Sequence, residues 1–152
     1  MAASKSDKIV VAVSGGFDPI HIGHVRLLKE AKALGDTLIV ILNNNNWLTN
    51  KKTYVFMDEQ ERMEILKAIR YVDDVILTSH QLGDIRTDVC QELELIKPDI
   101  FANGGDRYAT NIPEYATCQK INCSMEFNVG GGKQQSSSWL TDKVRKSKDQ
   151  VK

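Results

Sequence analysis

The sequence is short of several things, and each shortage closes off a class of protein. Only three of its 152 residues are cysteine, Cys90, Cys118 and Cys123, an odd number with no C-x-x-C pair. That excludes a disulfide-stapled miniprotein and a thioredoxin-like redox motif, and it points to a reducing, cytoplasmic setting. Net charge is missing too: 20 Lys and Arg balance 20 Asp and Glu. No overall field recruits nucleic acid or an acidic membrane, so neither is expected as a partner, and any anion must be bound locally. Long hydrophobic runs are absent. The longest, Ile9–Val13 and Leu38–Leu42, fall far short of the ~20 residues that span a bilayer. Met1 to Lys8 is small and polar, without the apolar stretch of a signal peptide. No repeat is visible and nothing is low in complexity beyond Asn43–Asn46. No G-x-G-x-x-G follows a strand, which argues against NAD-type dinucleotide binding.

What is present suits one globular domain: 41% hydrophobic and 26% charged residues in a chain of ordinary domain length. Short β-rich runs alternate with segments of helical period. Ile9–Val13 reads as a strand broken by Ser14-Gly15-Gly16. From about Ile22, Val25, Leu27, Leu28, Ala31 and Leu34 recur on one helix face, with Gly35 at the position that follows a helix end. Leu38–Leu42 is a second strand, and the polar stretch from Asn43 to Met57 reads as a loop. Asp58 and Glu61 form a capping-box pattern ahead of Met63, Leu66 and Ile69. Val75–Leu77 is a third strand. Ile85, Val89, Leu93 and Ile96 predict a helix that Pro98 ends, and Ile100–Ala102 a fourth strand. A short helix after Pro113, a strand near Met125–Val129 and a helix from about Ser138 follow. This alternation predicts an α/β fold, a Rossmann-like doubly wound parallel sheet in a single domain. The domain is expected over 8–141, with a flexible N-terminus at 1–7 and a basic C-terminal tail at 142–152.

Ligands of such a sheet bind beyond the carboxyl ends of its strands, and the segments there carry the chemistry. Gly15, Gly16, Phe17 and Asp18 lead into His21, Gly23 and His24 at the start of a helix. Two glycines let backbone approach a ligand, the helix start attracts anions, and two histidines one turn apart can face one phosphate. The second strand is followed by Lys51 and Lys52, and Arg62 lies early in a helix. The dipole disfavours a cation at that end unless an anionic ligand, or Asp58 and Glu59, offsets it. Gly105 and Asp106 follow the fourth strand. Gly130-Gly131-Gly132-Lys133-Gln134-Gln135 leads into Ser136, Ser137 and Ser138 at the start of the last helix, where hydroxyls cap N–H groups or hold phosphate.

The string Gly16-Phe17-Asp18-Pro19-Ile20-His21-Ile22-Gly23-His24 resembles the H-x-G-H signature of the cytidylyltransferase-like nucleotidyltransferases. The resemblance runs from about Lys8 to Leu140 and is nearest in pattern to glycerol-3-phosphate cytidylyltransferase and heptose-phosphate adenylyltransferase. It implies that His21 and His24 contact the phosphates of a nucleoside triphosphate. Lys51 or Lys52 takes the place of the family's mobile lysine, and Arg62 that of its helix arginine. Gly105-Asp106 corresponds to the G-D segment and Gln135 to Ser138 to the I-S-S-S element. Ile69-Arg70-Tyr71-Val72-Asp73-Asp74-Val75-Ile76 is similar to the matching stretch of the cytidylyltransferases and favours CTP, with ATP as the alternative. Gly131 stands where those enzymes usually carry an arginine, with Lys133 two residues on, and Gln135 stands where Ile is usual.

The implied reaction moves a nucleotidyl group, CMP by that reading, to a phosphorylated small molecule and releases pyrophosphate. A phosphate monoester is largely dianionic at neutral pH and needs no general base, so catalysis reduces to positioning and charge stabilisation. His21, His24, Lys51, Lys52 and Lys133 are the expected catalytic groups. Gly15, Gly16, Phe17, Asp18, Gly23, Arg62, Gly105, Asp106, Gln135 and Ser136 to Ser138 are the expected nucleotide contacts. Mg²⁺ is expected with the triphosphate, bound through substrate oxygens; the residues are silent on assembly, and the resemblance alone points to a homodimer, as many members of the family are. A nucleotide-binding module without catalysis is the reading of another class; it would not need both histidines together with a lysine and a terminal phosphate loop.

Overall fold

A computed structural model describes residues 7–105, 112–131 and 136–150. Its core is a five-stranded sheet in which every pairing is parallel: β1 (Val10–Gly15), β2 (Thr37–Leu42), β3 (Asp74–Leu77), β4 (Ile100–Ala102) and β5 (Ser124–Glu126). The order is β3-β2-β1-β4-β5. The chain therefore winds outward from β1 in one direction and then returns to wind the other way, so the switch point lies between β1 and β4.

The helices are α1 (Ile22–Ala33), α2 (Asn45–Lys52), α3 (Glu59–Ala68), α4 (Cys90–Ile96), α5 (Glu114–Lys120) and α6 (Ser137–Gln150). The central strands are aliphatic on both sides because both faces are covered. Val11, Val13, Leu38, Val40 and Leu42 pack with Leu28 and Ala31 of α1 and Leu66 of α3. Ala12, Ile41 and Phe101 pack on the opposite face with Leu93 of α4 and Cys118 of α5. Cys118 and Cys123 are buried there, Cys90 is half-buried, and all three are free thiols.

The structure departs from the sequence reading at several places. The stretch from Asn43 to Met57 is not all loop, since Asn44 caps α2 by accepting from Trp47 N at 2.9 Å. Lys51 and Lys52 consequently sit in the last turn of a helix, where its dipole favours cations. Ile85 is 98% exposed and lies ahead of α4, which starts only at Cys90. The Asp58 cap bonds Gln60 N at 2.9 Å, one residue short of a capping box with Glu61. Gly35 is required for space: a Cβ there would lie 2.7 Å from Val11 Cγ2 and 2.8 Å from the Ile9 carbonyl oxygen. Residues 142–150, expected as a basic tail, continue α6.

Candidate active site

Parallel pairing brings the ends of β1, β2 and β4 to one edge, and the segments that follow them converge there. The chain leaving β1 turns through Phe17, which takes a left-handed φ of 50° and is buried against the His24 ring at 4.7 Å. Asp18 is fully buried, and both its oxygens are taken: Phe56 N donates to one at 2.7 Å and Met57 N to the other at 2.6 Å. Asp18 therefore fastens the 54–57 segment beneath the turn.

His21 is the N-cap of α1. Its Nδ1 accepts from Gly23 N at 3.1 Å, and His24 Nδ1 accepts in return from His21 N at 3.2 Å. The two rings stack with centroids 3.7 Å apart and planes 26° from parallel. An Nδ1 that accepts a bond carries no proton, so each neutral ring holds its hydrogen on Nε2 and can donate it outward. Burial, with smaller contributions from His21 and Lys52, lowers the His24 pKa to about 3. The pair is a fixed set of neutral donors.

The two lysines part company. Lys52 Nζ donates to the Asp18 carbonyl at 2.9 Å and acts on His24, on the histidine side of the edge. Lys51 Nζ lies over the Trp47 ring, 4.8 Å from its centroid, beside a cavity of about 330 Å³. Ser14, Gly15, Asn43, Trp47, Thr87, Asp88 and Glu114 are among that cavity's walls.

Arg62 answers the question its sequence position raised. It is 1% exposed, donates to the carbonyls of Met57 (2.9 Å), Gly16 (2.8 Å) and Asn43 (2.6 Å), and bonds Asn45 Oδ1 at 2.9 Å. Desolvation lowers its pKa, while Asp18, Glu59 and Asp58 oppose the shift. The carboxylates of Asp18, Glu59 and Asp58 act on it and offset its place early in the helix. Arg62 knots three site segments together from below.

Gly16 also has a packing reason: a Cβ would lie 3.0 Å from Leu48 and 3.4 Å from Trp47. Gly105 abuts the last loop, where a Cβ would come 3.0 Å from Asn128 Oδ1. Ser136 Oγ accepts from Trp139 N at 3.1 Å as a helix cap, and Ser137 Oγ donates to the Pro19 carbonyl at 2.8 Å, fixing the start of α6 against the β1–α1 turn. Ser138 is exposed. Asp106, Lys133 and Gln135 lie outside the described residues. Asn43 and Trp47, which line the cavity beside Lys51, were not among the residues expected at the site. Asn43 was legible only as part of an asparagine-rich turn, and nothing in a lone tryptophan's sequence context announces a cavity wall.

A Rossmann-type parallel sheet whose switch point carries two stacked, outward-donating histidines defines an α/β nucleotide-handling domain. A family model described as cytidylyltransferase-like matches residues 12–138, and the chain belongs to that family. It is 46% identical over 101 residues to FAD synthase of Pyrococcus horikoshii, a match covering 66% of this chain and 65% of that one. It is 35% identical over 104 residues to the bifunctional protein HldE of Koribacter versatilis, covering 67% of this chain and 20% of that protein. Among solved structures it resembles the lipopolysaccharide core biosynthesis protein of Thermoplasma volcanium, with a TM-score of 0.63 and 30% identity over 79% of this chain and 93% of that one. A pantoate-beta-alanine ligase from Francisella tularensis shares the fold, with a TM-score of 0.64 at 18% identity over 90% of this chain and 66% of that one.

These relatives, FAD synthase and HldE, do not support the CTP preference read from residues 69–76. Asp73 N donates to the Leu38 carbonyl and Asp73 Oδ2 accepts from Leu38 N at 2.8 Å. Residues 69–73 thus lead into β3 at the amino end of the sheet, and Asp74–Ile76 form part of the strand itself.

Proposed function

We propose that this chain is an ATP-dependent adenylyltransferase acting on a phosphorylated small molecule, with pyrophosphate as the second product. The observation that carries this reading is the stacked His21–His24 pair at the switch point, two neutral N–H donors with no base or nucleophile to activate. The preference for ATP over CTP rests on the resemblance to FAD synthase, which joins ATP and FMN, and to HldE. FMN is accordingly the first acceptor to test, ahead of sugar phosphates.

The acceptor's phosphate oxygen attacks the α-phosphorus of ATP as the bond to the β-phosphate oxygen breaks, and pyrophosphate carries the leaving charge. His21 and His24 donate from Nε2 to the α- and β-phosphate oxygens, where charge grows as the bond breaks. Lys52, already on the histidine side, supplies the permanent positive charge, while Lys133 and the hydroxyls of Ser136 and Ser138 serve the departing end. Asp18 and Arg62 hold the turn and touch no substrate. Mg²⁺, when bound, would supply charge neutralisation along the triphosphate. The donor set fits a substrate-borne ion: no cluster of three metal-ligating side chains occurs among the described residues, and Asp18 is fully engaged. No helix among the described residues is long and apolar enough to cross a membrane; a cytoplasmic homodimer is the setting this reading expects.

The test is pyrophosphate release from ATP or CTP with Mg²⁺ and FMN. Turnover with ATP alone, lost with EDTA, is the expected result. Turnover with CTP alone would overturn the assignment of the base.

A further inference from the structure

The loop that follows β5 touches both banks of the crevice between β1 and β4. On the β4 side, Val129 N donates to the Asn103 carbonyl at 3.0 Å. Gly105 packs so closely there that a Cβ on it would lie 3.0 Å from Asn128 Oδ1. On the β1 side the loop rests on α1. Gly130 lies against the helix backbone itself, where a Cβ would come 3.0 Å from both N and Cα of Leu27. One turn further along α1, Glu30 Oε2 accepts from Gly130 N.

This loop has an unusual backbone. Asn128, Gly130 and Gly131 take left-handed φ values of 56°, 92° and 79°. Fixing such a run costs free energy and persists where surrounding contacts hold it. The hold on the α1 side is a charge-assisted bond from a side chain that is otherwise exposed to solvent. Helix α1 also carries His21 and His24 at its start. One rigid element therefore bears the histidine pair at its end and the β5–α6 loop on its flank, and that loop runs on in sequence to Lys133 and Ser136.

We infer that Glu30 is a positioning residue for the triphosphate. Through Gly130 it keeps the β5–α6 loop seated on α1, so that the loop and the histidine pair meet one nucleotide at a fixed spacing. Glu30 itself touches no substrate. The inference rests on the nucleotide-binding half of the proposed function and not on the acceptor. Its sign is distinctive. A carboxylate near an anionic ligand repels it, so charge alone predicts that removing Glu30 leaves nucleotide binding unchanged or tighter. Positioning predicts that binding weakens.

The test compares wild type with Glu30→Ala, Glu30→Gln, Gly130→Ala and Lys29→Ala. It measures binding of ATP and of CTP, each with Mg²⁺, by calorimetry without acceptor, the melting temperature without ligand, and pyrophosphate release with FMN. Glu30→Ala should weaken nucleotide binding and raise the KM for ATP roughly fivefold, the scale of one exposed charge-assisted hydrogen bond. The KM for FMN should not move, and kcat should change little because bound nucleotide restores the loop. Glu30→Gln keeps an oxygen for Gly130 N and should stay near wild type. Gly130→Ala drives a methyl into the Leu27 backbone and should weaken binding at least as much as Glu30→Ala. Lys29→Ala, exposed on the same helix, should match wild type. Nucleotide binding unchanged or tighter in Glu30→Ala, or a lower melting temperature with binding intact, overturns the inference and leaves the adenylyltransferase reading standing. Weaker binding in Glu30→Ala and Gly130→Ala, with no pyrophosphate release from FMN or a sugar phosphate, supports the inference and overturns the reading. Wild type that binds neither nucleotide overturns both. Should Gly130→Ala fail to fold, Glu30→Ala against Glu30→Gln decides.

Discussion

Histidine chemistry at this site turns on which nitrogen is occupied. Because backbone N–H groups claim both Nδ1 atoms, His21 and His24 face outward as donors without needing protonation. Replacing either with Ala should cut kcat by ~10²–10³, the scale for one preorganised donor, and stopped-assay pyrophosphate measurements at saturating substrate would read it. His24 also ties stability to pH. Its pKa is about 3 in the fold against 6.5 for the free side chain, so between those values the unfolded chain binds the extra proton. Stability from this group is present above pH ~6.5 and is lost as pH falls toward 3. The melting temperature of wild type should therefore drop more steeply from pH 7 to pH 4 than that of His24→Asn, which cannot titrate. Parallel curves would show that His24 is protonated in the fold.

Elements meet at this edge through side chains that carry no chemistry of their own. Arg62 reaches from α3 to the carbonyls of Gly16 and Asn43, the residues just past β1 and β2. Arg62→Met leaves those oxygens buried and unpaired, and should cost about 3–5 kcal/mol by urea unfolding, the range for breaking a buried charged cluster. Lys at this position should recover little, having no planar fork to reach several carbonyls at once. Gly35 sets the spacing at the other end of the sheet. Gly35→Ala pushes a methyl against Ile9 and Val11 and should cost roughly 1–3 kcal/mol, seen as a lower midpoint with the denaturant slope unchanged.

At the scale of the whole molecule, strand order does the placing. Winding outward from β1 both ways leaves a crevice between β1 and β4, and a nucleotide lodged there touches segments far apart in sequence. Binding should therefore stabilise the entire domain. ATP with Mg²⁺ at ~100 times its Kd adds about 2.7 kcal/mol, which raises the melting temperature by roughly 5–11 °C in a domain of this size. A smaller shift with CTP is the expected companion result in the same thermal scan, and equal shifts would remove the grounds for preferring adenylyl transfer.

The alternation of strands and helices, the parallel sheet and the glycine- and histidine-bearing turn after β1 were legible in the sequence by themselves. Local rules govern them: β-branched runs, helical periodicity, and the position of a turn beyond a strand's carboxyl end. Tertiary structure decided the rest, since a side chain's partner is set by packing. Arg62 read equally as the partner of an anionic ligand or of Asp58 and Glu59 until three carbonyls were folded around it. Lys51 and Lys52 are neighbours in the chain, but one helical step of about 100° separates them. That rotation turns one toward the histidines and the other toward Trp47, a division that adjacency in sequence conceals.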